Sequence, residues 1–156
     1  MSRTIIRLVL DTNVWLDWLV FDDAGVAPIK EAVARGAAGI FISPTCETEL
    51  IRVLGYSLSG RTLDAAAQAA ALAQCRAVAR GVQECAEPHN ITALPSCEDP
   101  DDQKFLELAR DCRADMLITK DHDLLALATR KVRPLPFRIL TPREFARDAS
   151  RTAAIG

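Results

Sequence analysis

The sequence predicts an α/β protein, a single-domain α/β/α sandwich around a central parallel sheet of four to five strands. Short apolar, β-branched runs alternate along the chain with stretches of helical character. The runs show little period-two alternation, which indicates strands that are buried on both faces. A chain of 156 residues fits one domain and can bury about two-thirds of the surface that its unfolded form exposes.

The first half of the chain alternates strands with helices whose boundaries carry proline and glycine. Proline in the first turn and glycine just past the end are typical of helix boundaries. Ser43 precedes such a proline and is a suitable N-cap. The predicted elements are a strand at 5–10, a helix at 12–20, a helix from Pro28 to near Gly36, a strand at 39–43 and a helix from Ser43 to near Gly55.

A long alanine-rich helix is predicted over residues 62–86, where helix propensity is high. Its apolar stripe could pack on the domain itself or on a second copy of the chain, and we expect a homodimer. Residues 87–97 hold two prolines and are expected to be irregular, with room for one short strand. The stripe consists of Leu72, Cys75, Val78, Ala79, Val82 and Cys85.

The last third repeats the alternation and closes the domain. Asp99 caps a helix with Pro100 in its first turn, and Thr141 and Glu144 form a capping box that opens the final helix. We predict one domain over residues 1–149 and a C-terminal tail at 150–156. The elements here are a helix from Asp99 to Cys112, a strand at 116–119, a helix at 121–129, a strand at 137–140 and a helix from Thr141.

Composition excludes several classes of protein. The apolar fraction of 49% and charged fraction of 26% are ordinary for a globular protein and exclude disorder or low complexity. No stretch free of Asp, Glu, Lys and Arg exceeds eleven residues, whereas a membrane span needs about 20. The apolar run before Asp11 is also too short for a signal-peptide core. We therefore expect a cytoplasmic protein without a membrane partner.

The five cysteines and the charge distribution give further expectations. The cysteines are odd in number and contain no C-x-x-C pair, so they are expected to be reduced, mostly buried thiols. Net charge is −2, but residues 126–156 carry seven Lys and Arg against two acids. This basic C-terminal segment on an acidic body is either a solvated surface or a contact for a polyanion such as RNA or for an acidic partner.

Carboxylates follow two predicted strands at the edge where parallel sheets bind ligands. Asp11 comes directly after the first strand, and Asp121 follows the M-L-I-T strand, with Asp123 two residues later. Asp102 lies in the first turn of the helix capped by Asp99, where backbone amides favour an anion. These acids could meet in one crevice if their elements are neighbours.

Converging carboxylates need either to share protons or to bind a cation, since at about 5 Å and an effective dielectric near 20 each pair costs on the order of 3 kcal/mol. Oxygen ligands without a His or Cys cluster favour Mg²⁺ or Mn²⁺ over zinc.

Each acid also has a simpler interpretation. Asp11 and Asp121 could only cap the helices that follow them, and Asp99 with Asp102 could be only a capping box.

Helical spacing does not identify a glutamate that joins these acids. At about 100° per residue, Glu49 lies just beside the apolar arc of its helix, and Glu47 lies inside that arc. Spacing therefore leaves both residues open.

Four segments, in this order and spacing, resemble the PIN-domain (PilT N-terminus domain) ribonucleases, in particular the toxin components of prokaryotic toxin–antitoxin pairs. The TPREF segment at 141–145, after the last predicted strand, is also typical of that branch. The resemblance extends over about residues 7–145. The four segments are LVLDTNVWL at 8–16, SPTCETEL at 43–50, DPDDQKFLELA at 99–109 and LITKDHDLL at 117–125.

The resemblance implies a PIN-like fold and a set of site residues. It is the reason for preferring Glu49 to Glu47. Thr12, Asn13 and Thr119 match polar positions that orient the acids, and Asp99 supports its helix as the cap. The implied catalytic residues are Asp11, Glu49, Asp102 and Asp121, which together with Asp123 would hold one or two Mg²⁺ or Mn²⁺ ions.

The implied activity is divalent-metal-dependent hydrolysis of RNA phosphodiester bonds, with an antitoxin protein as a further partner. Because the site is acidic, positive charge elsewhere must hold the RNA backbone. Lys120 departs from the family, which often has Gly, Asn or Arg there. The candidate RNA contacts are Arg130, Lys131, Arg133, Arg138, Arg143 and Arg147.

Three other functions remain open. A phosphatase with an aspartate nucleophile usually needs D-x-D after its first strand, whereas Asn13 cannot donate the proton. A phospho-acceptor receiver domain would carry its aspartate after a middle strand, where this sequence has Ser43. A non-catalytic RNA- or protein-binding module on the same fold would keep the acids without turnover.

Overall fold

The computed structural model describes residues 4–82, 100–129 and 135–155, with the backbone alone at 100–101 and 150–155. In chain order its elements are β1 (Ile6–Leu10), α1 (Thr12–Leu19), a short 3-10 turn (Ala24–Val26), α2 (Ala27–Ala34), β2 (Ala38–Ile42), α3 (Pro44–Leu54), β3 (Ser57–Leu58), β4 (Arg61–Thr62), α4 (Ala65–Val78), β5 (Ala79–Gly81), α5 (Pro100–Asp111), β6 (Met116–Ile118), α6 (His122–Leu127), β7 (Arg138–Leu140) and α7 (Pro142–Ile155).

The centre of the molecule is a five-stranded parallel sheet in the order β5-β2-β1-β6-β7. β1 pairs with β2 on one side and with β6 on the other, with Leu10 opposite Ile118 at the carboxyl end of the β1–β6 pair. Because all pairs are parallel, the loops that follow these strands emerge at one edge of the sheet. This edge is called the carboxyl edge below.

Helices cover the sheet on both faces. α2 and α7 pack against each other, with α2 contacting β2 and α7 contacting β7. α5 packs on β1 and β6 and contacts α3, which in turn contacts α1 and α4. Side chains of the two central strands, such as Leu8 and Leu117, are fully buried between these layers. The predicted α/β/α sandwich with a parallel sheet is therefore confirmed.

The strands predicted at 5–10, 39–43, 116–119 and 137–140 are β1, β2, β6 and β7, each within one residue at either end. Short apolar runs define these strands because both faces of the sheet are covered. The predicted N-cap of α3 is present: the Ser43 hydroxyl accepts a hydrogen bond from the Cys46 amide. At α7, the Thr141 hydroxyl accepts from the Glu144 amide while the Glu144 carboxylate accepts from the Thr141 amide, which completes the capping box.

The single long helix predicted over 62–86 is wrong. The helix ends at Val78, where Ala79 adopts an extended conformation, and the chain continues as edge strand β5 beside β2. Tertiary pairing with the open edge of β2 overrides the helix propensity of this segment. The β3–β4 hairpin was not predicted; its turn at Ser59 and Gly60 has positive φ angles of 50° and 78°. Residues 83–86 and the segment expected to be irregular, 87–97, lie outside the described residues.

Helix α4 buries part of its apolar stripe within its own domain. Ala71 and Cys75 are buried, and α4 contacts α1 and α3. Leu72 and Val78 remain partly exposed. The homodimer stays a prediction, as does the domain boundary at residue 149, which α7 crosses on its way to Ile155.

Three cysteines lie in the described part of the chain, and all three are free and buried. Burial raises the pKa of the Cys46 and Cys112 thiols to about 11 and that of the Cys75 thiol to about 12. These thiols are therefore protonated at neutral pH and pack as small apolar side chains. Among the described residues, no helix is both long and apolar enough to cross a bilayer.

Candidate functional site

Two central strands bring their following residues together at the carboxyl edge. Asp11 follows β1, and Thr119, Lys120 and Asp121 follow β6. β1 and β6 are neighbours, and the Asp11 amide donates to the Ile118 carbonyl at 2.9 Å. The pairing of the two strands therefore fixes Asp11 beside the loop that carries Asp121.

Asp11 is a buried carboxylate, only 5% exposed, with hydrogen bonds to both of its oxygens. Oδ1 accepts from the Thr12 amide at 2.6 Å, and Oδ2 accepts from the Thr119 hydroxyl at 2.7 Å. The first bond makes Asp11 the N-cap of α1, so the capping interpretation is correct. The second bond links β1 to the end of β6, which a helix cap does not require.

Thr119 joins the two aspartates through one fully buried hydroxyl. Its Oγ1 donates to Asp11 and accepts from the Asp121 amide at 3.0 Å. Asp121 in turn caps α6, with its Oδ1 accepting from the Asp123 amide at 2.9 Å. The prediction that Thr119 orients the acids therefore has a geometric counterpart in this bridge.

The charges at this edge act on one another. Burial raises the pKa of Asp11 above its ordinary value, and the hydrogen bonds from Thr119 and Thr12 oppose that rise. The negative charges of Asp121 and Glu49 raise the same pKa further. Asp11 therefore carries an electrostatic penalty when it is ionised, which its two hydrogen bonds compensate only in part.

Glu49 approaches the same edge from α3. One carboxylate oxygen, Oε2, accepts a hydrogen bond from the Thr12 hydroxyl. The other, Oε1, forms an ion pair with the Lys104 ammonium at 2.7 Å and lies 4.0 Å from Arg52. Glu47 points elsewhere and pairs with Arg76 of α4 at 2.6 Å. The structure thus brings Glu49, the residue preferred on resemblance, toward Asp11, and leads Glu47 away.

The remaining predicted site residues differ in their positions. Asp102 is half-buried in the first turn of α5, the helix that also carries Lys104, and Asp123 is exposed at the start of α6. Oδ1 of Asn13 is buried with no hydrogen-bond partner among the described residues. Asp99 lies outside the described residues, so its role as a cap stays a prediction.

The side chains at this edge supply the kind of donor that a divalent ion needs. The carboxylates are oxygen donors that suit Mg²⁺ or Mn²⁺, and the orphaned Asn13 oxygen and the repulsion at Asp11 are features that a cation would relieve. Within the described residues, however, no three Asp, Glu, His or Cys side chains stand close enough together to hold an ion. The chemistry of the edge fits a hard cation, but the ligands do not form a closed cage.

Two lysines at this edge were not predicted as site residues. Lys104 neutralises Glu49, and Lys120 forms a 2.6 Å ion pair with the nearly buried Asp17 of α1. The signal in the sequence that could have indicated them is their closeness to the predicted acids. Lys104 lies two residues after Asp102, and Lys120 lies one residue before Asp121. Spacing along the chain could not reveal partners on other helices.

Of the basic residues predicted to contact RNA, two that the structure describes, Arg143 and Arg138, lie at opposite edges of the sheet. Arg143, at the start of α7, lines a cavity of about 360 Å³ at the carboxyl edge together with Lys120 and Asp17. Arg138 begins β7 at the opposite edge and pairs with Asp148 at 2.7 Å. Arg147 is exposed on α7. Three further candidates lie outside the described residues: Arg130, Lys131 and Arg133.

A larger cavity, of about 570 Å³, lies at the opposite edge of the sheet. Its walls come from the amino ends of the strands, including Ile6, Met116 and Arg138, and from Phe145 of α7. Asp11, Glu49, Asp102 and Asp121 are not part of its lining. Chemistry rather than volume therefore selects the carboxyl edge as the candidate site.

We predict that Asp11→Asn stabilises the protein in the absence of metal at about pH 8. The folded-state pKa of Asp11 is raised, so the penalty of its charge is absent below the unfolded value of 3.8, grows as the pH rises from there to the folded value, and is complete above it. Thermal unfolding in EDTA should give a Tm a few degrees above wild type near pH 8, with the difference shrinking toward acid pH. Glu107→Gln on the exposed face of α5 is the matched control and should show no such trend. An Asp11→Asn variant less stable than wild type at every pH would contradict this.

Comparison with known proteins agrees with the fold. The PIN domain family model matches residues 7–123, which include Asp11, Glu49, Asp102 and Asp121. An uncharacterized protein of Methanocaldococcus jannaschii, MJ1680, is 24% identical over 153 residues, covering 95% of this chain and 94% of that protein.

A solved structure also has the same fold. A chain in the crystal structure of VapBC2 from Rickettsia felis, bound to a DNA fragment from their promoter, superimposes with a TM-score of 0.59 at 13% identity. The match covers 87% of this chain and 98% of that chain. Since the family model spans most of the sequence and the sheet and helices follow the same plan, this chain belongs to the PIN domain family.

Proposed function

We propose that this protein is a divalent-metal-dependent ribonuclease whose active site is the carboxyl edge of the sheet. PIN domains are generally nucleases that use divalent metal ions, and this chain is a member of that family. One observation carries the proposal for this chain: Thr12 and Thr119 hold the buried Asp11 carboxylate beside Glu49 and the start of the Asp121 loop. Such an arrangement is costly in a purely structural role and is relieved by a bound cation.

The chain's own residues would orient the metal ligands. Thr119 and the Thr12 amide hold both oxygens of Asp11, and the Thr12 hydroxyl holds Glu49. The ion would be held by four acids, with Asp123 as an accessory acid. The four are Asp11, Glu49, Asp102 of α5 and Asp121. A bound Mg²⁺ or Mn²⁺ would activate a water molecule for attack on the phosphodiester and stabilise the charge of the leaving 3′ oxygen.

The RNA backbone needs positive charge that the acids do not offer. Arg143 and Lys120 line the cavity beside the candidate metal ligands, at the same edge of the sheet. Backbone phosphates that bind there would bring the scissile bond toward Asp11 and Asp121. Arg138 lies at the opposite edge of the sheet, so we exclude it from this surface.

We further propose that the protein is the toxin of a toxin–antitoxin pair. The similarity to a chain of the VapBC2 structure supports this role through the shared fold. An antitoxin would have to cover or distort the carboxyl edge to suppress cleavage.

A non-catalytic binding module on the same fold is the second candidate. Two observations favour it: the described residues contain no closed set of three metal ligands, and Lys104 already neutralises Glu49. This module would bind RNA or a protein without turnover. It differs from the nuclease in leaving RNA intact whatever divalent ion is supplied.

Wild-type protein is expected to cleave single-stranded RNA in Mg²⁺ or Mn²⁺ and to be inactive in EDTA. Asp11→Asn and Asp121→Asn should each lower the cleavage rate by at least about 100-fold, because both variants remove a metal-holding charge. Asp22→Asn is the matched control, since Asp22 is exposed and pairs with Lys30 away from the site. Intact RNA across a full screen of divalent ions would contradict the nuclease and favour the binding module.

Arg143→Gln is expected to weaken RNA binding several-fold. It should also reduce the slope of the logarithm of the binding constant against the logarithm of the salt concentration by about one, because one phosphate contact is lost. Fluorescence anisotropy with labelled RNA in EDTA measures binding without cleavage. Arg138→Gln removes the same charge at the opposite edge and should bind as wild type does. Equal losses in the two variants would indicate non-specific attraction rather than a surface beside the acids.

Expression of the wild-type chain in a bacterial host should arrest growth, whereas Asp11→Asn should not, because toxicity through RNA cleavage requires the metal site. Co-expression of the adjacent reading frame should relieve the arrest. Viable counts after induction measure both effects. Normal growth with active, soluble wild-type enzyme would contradict the toxin role while leaving the ribonuclease proposal in place.

A further inference from the structure

Lys104 places a positive charge inside the acidic edge. It lies on α5, two residues after Asp102, and its ammonium reaches across to Oε1 of Glu49 on α3 at 2.7 Å. Both side chains are mostly buried, with 15% and 14% of their surfaces exposed. A pair this well shielded from water is not a loose surface contact, since solvent screens it only weakly.

Glu49 has both of its oxygens occupied in this arrangement. The Thr12 hydroxyl donates to Oε2, and the Lys104 ammonium lies on Oε1. A divalent ion that uses Oε1 must lie about 2.1 Å from that oxygen, where the ammonium would be close to it and strongly repelled. Oε1 has two lone pairs, so the metal and Lys104 do not exclude each other sterically, but their charges repel each other and they compete for this oxygen.

We infer that Lys104 is an internal counter-ion that competes with the divalent metal for Glu49, so that its ammonium opposes metal loading. The inference rests on the proposed metal-dependent function. A lysine suits this role because its single charge sits on a flexible four-carbon stem that can move aside. The ion pair also gives a reason why the described carboxylates form no closed set of three ligands.

The competition has two measurable consequences. Without Lys104, the metal is no longer repelled by this positive charge, so the metal should bind more tightly. In the absence of metal, the same change leaves Glu49 beside Asp11 with one compensating charge fewer, which should destabilise the fold. A lysine that only orients Glu49 for the metal would give the opposite change in metal affinity.

The test measures Mn²⁺ binding to the full chain by isothermal titration calorimetry, with Lys104→Met as the neutral variant of similar length. Lys104→Met should lower the Kd for Mn²⁺ by about tenfold, because a repelling charge is removed. In EDTA its Tm should fall by several degrees, and saturating Mn²⁺ should raise that Tm by more than it raises the wild-type value. Lys104→Arg keeps the charge and should not bind Mn²⁺ more tightly than wild type does. Lys30→Met, which breaks the exposed pair with Asp22, is the control and should leave the Kd unchanged.

The outcomes separate this inference from the proposed function. If wild type binds Mn²⁺ while Lys104→Met binds it equally or more weakly, the counter-ion role is overturned and the metal site stands. If neither protein binds Mn²⁺, the metal-dependent function itself fails and the inference fails with it. Lys104→Gln serves as a second neutral variant. Failure of both neutral variants to fold even in Mn²⁺ would show that Lys104 is a structural residue, which also overturns the inference.

Discussion

The carboxylate of Asp11 is the point on which the geometry of the carboxyl edge depends. Its two hydrogen bonds tie the start of α1 to the end of β6 through the Thr12 amide and the Thr119 hydroxyl. The same hydroxyl accepts from the Asp121 amide, so one buried polar bridge sets the positions of both aspartates. A helix cap and a candidate metal ligand are here the same side chain, and its two roles impose compatible geometry.

The charges around this bridge lower the stability of the fold and would favour the binding of a cation. Three carboxylates influence one another at an edge where Asp11 is almost fully buried, and each ionised neighbour opposes its ionisation. Two lysines partly compensate: Lys104 on Glu49, and Lys120 on Asp17. Net negative charge remains beside a cavity bordered by a basic side chain, Arg143. Such a distribution suits a site that holds a cation and lies next to a polyanion.

Local signals in the sequence predicted most of the fold. The features that they did not predict depend on contacts with residues far away along the chain. Buried apolar runs located β1, β2, β6 and β7, because strands covered on both faces need little else. Strand β5 was missed because its residues favour a helix and become a strand only through the open edge of β2. In the site, strand ends predicted Asp11 and Asp121. Glu49 required the family resemblance, and the ion pair of Lys104 with Glu49 joins residues 55 positions apart on two helices.

The most direct test of the account is a crystal structure of the wild-type protein soaked in Mn²⁺, with data collected at a wavelength that gives anomalous signal from manganese. The account predicts an anomalous peak at the carboxyl edge within about 2.2 Å of oxygens from Asp11 and at least one other of the acids. A fully soaked crystal without a peak at this edge, or with manganese bound only elsewhere, would contradict it.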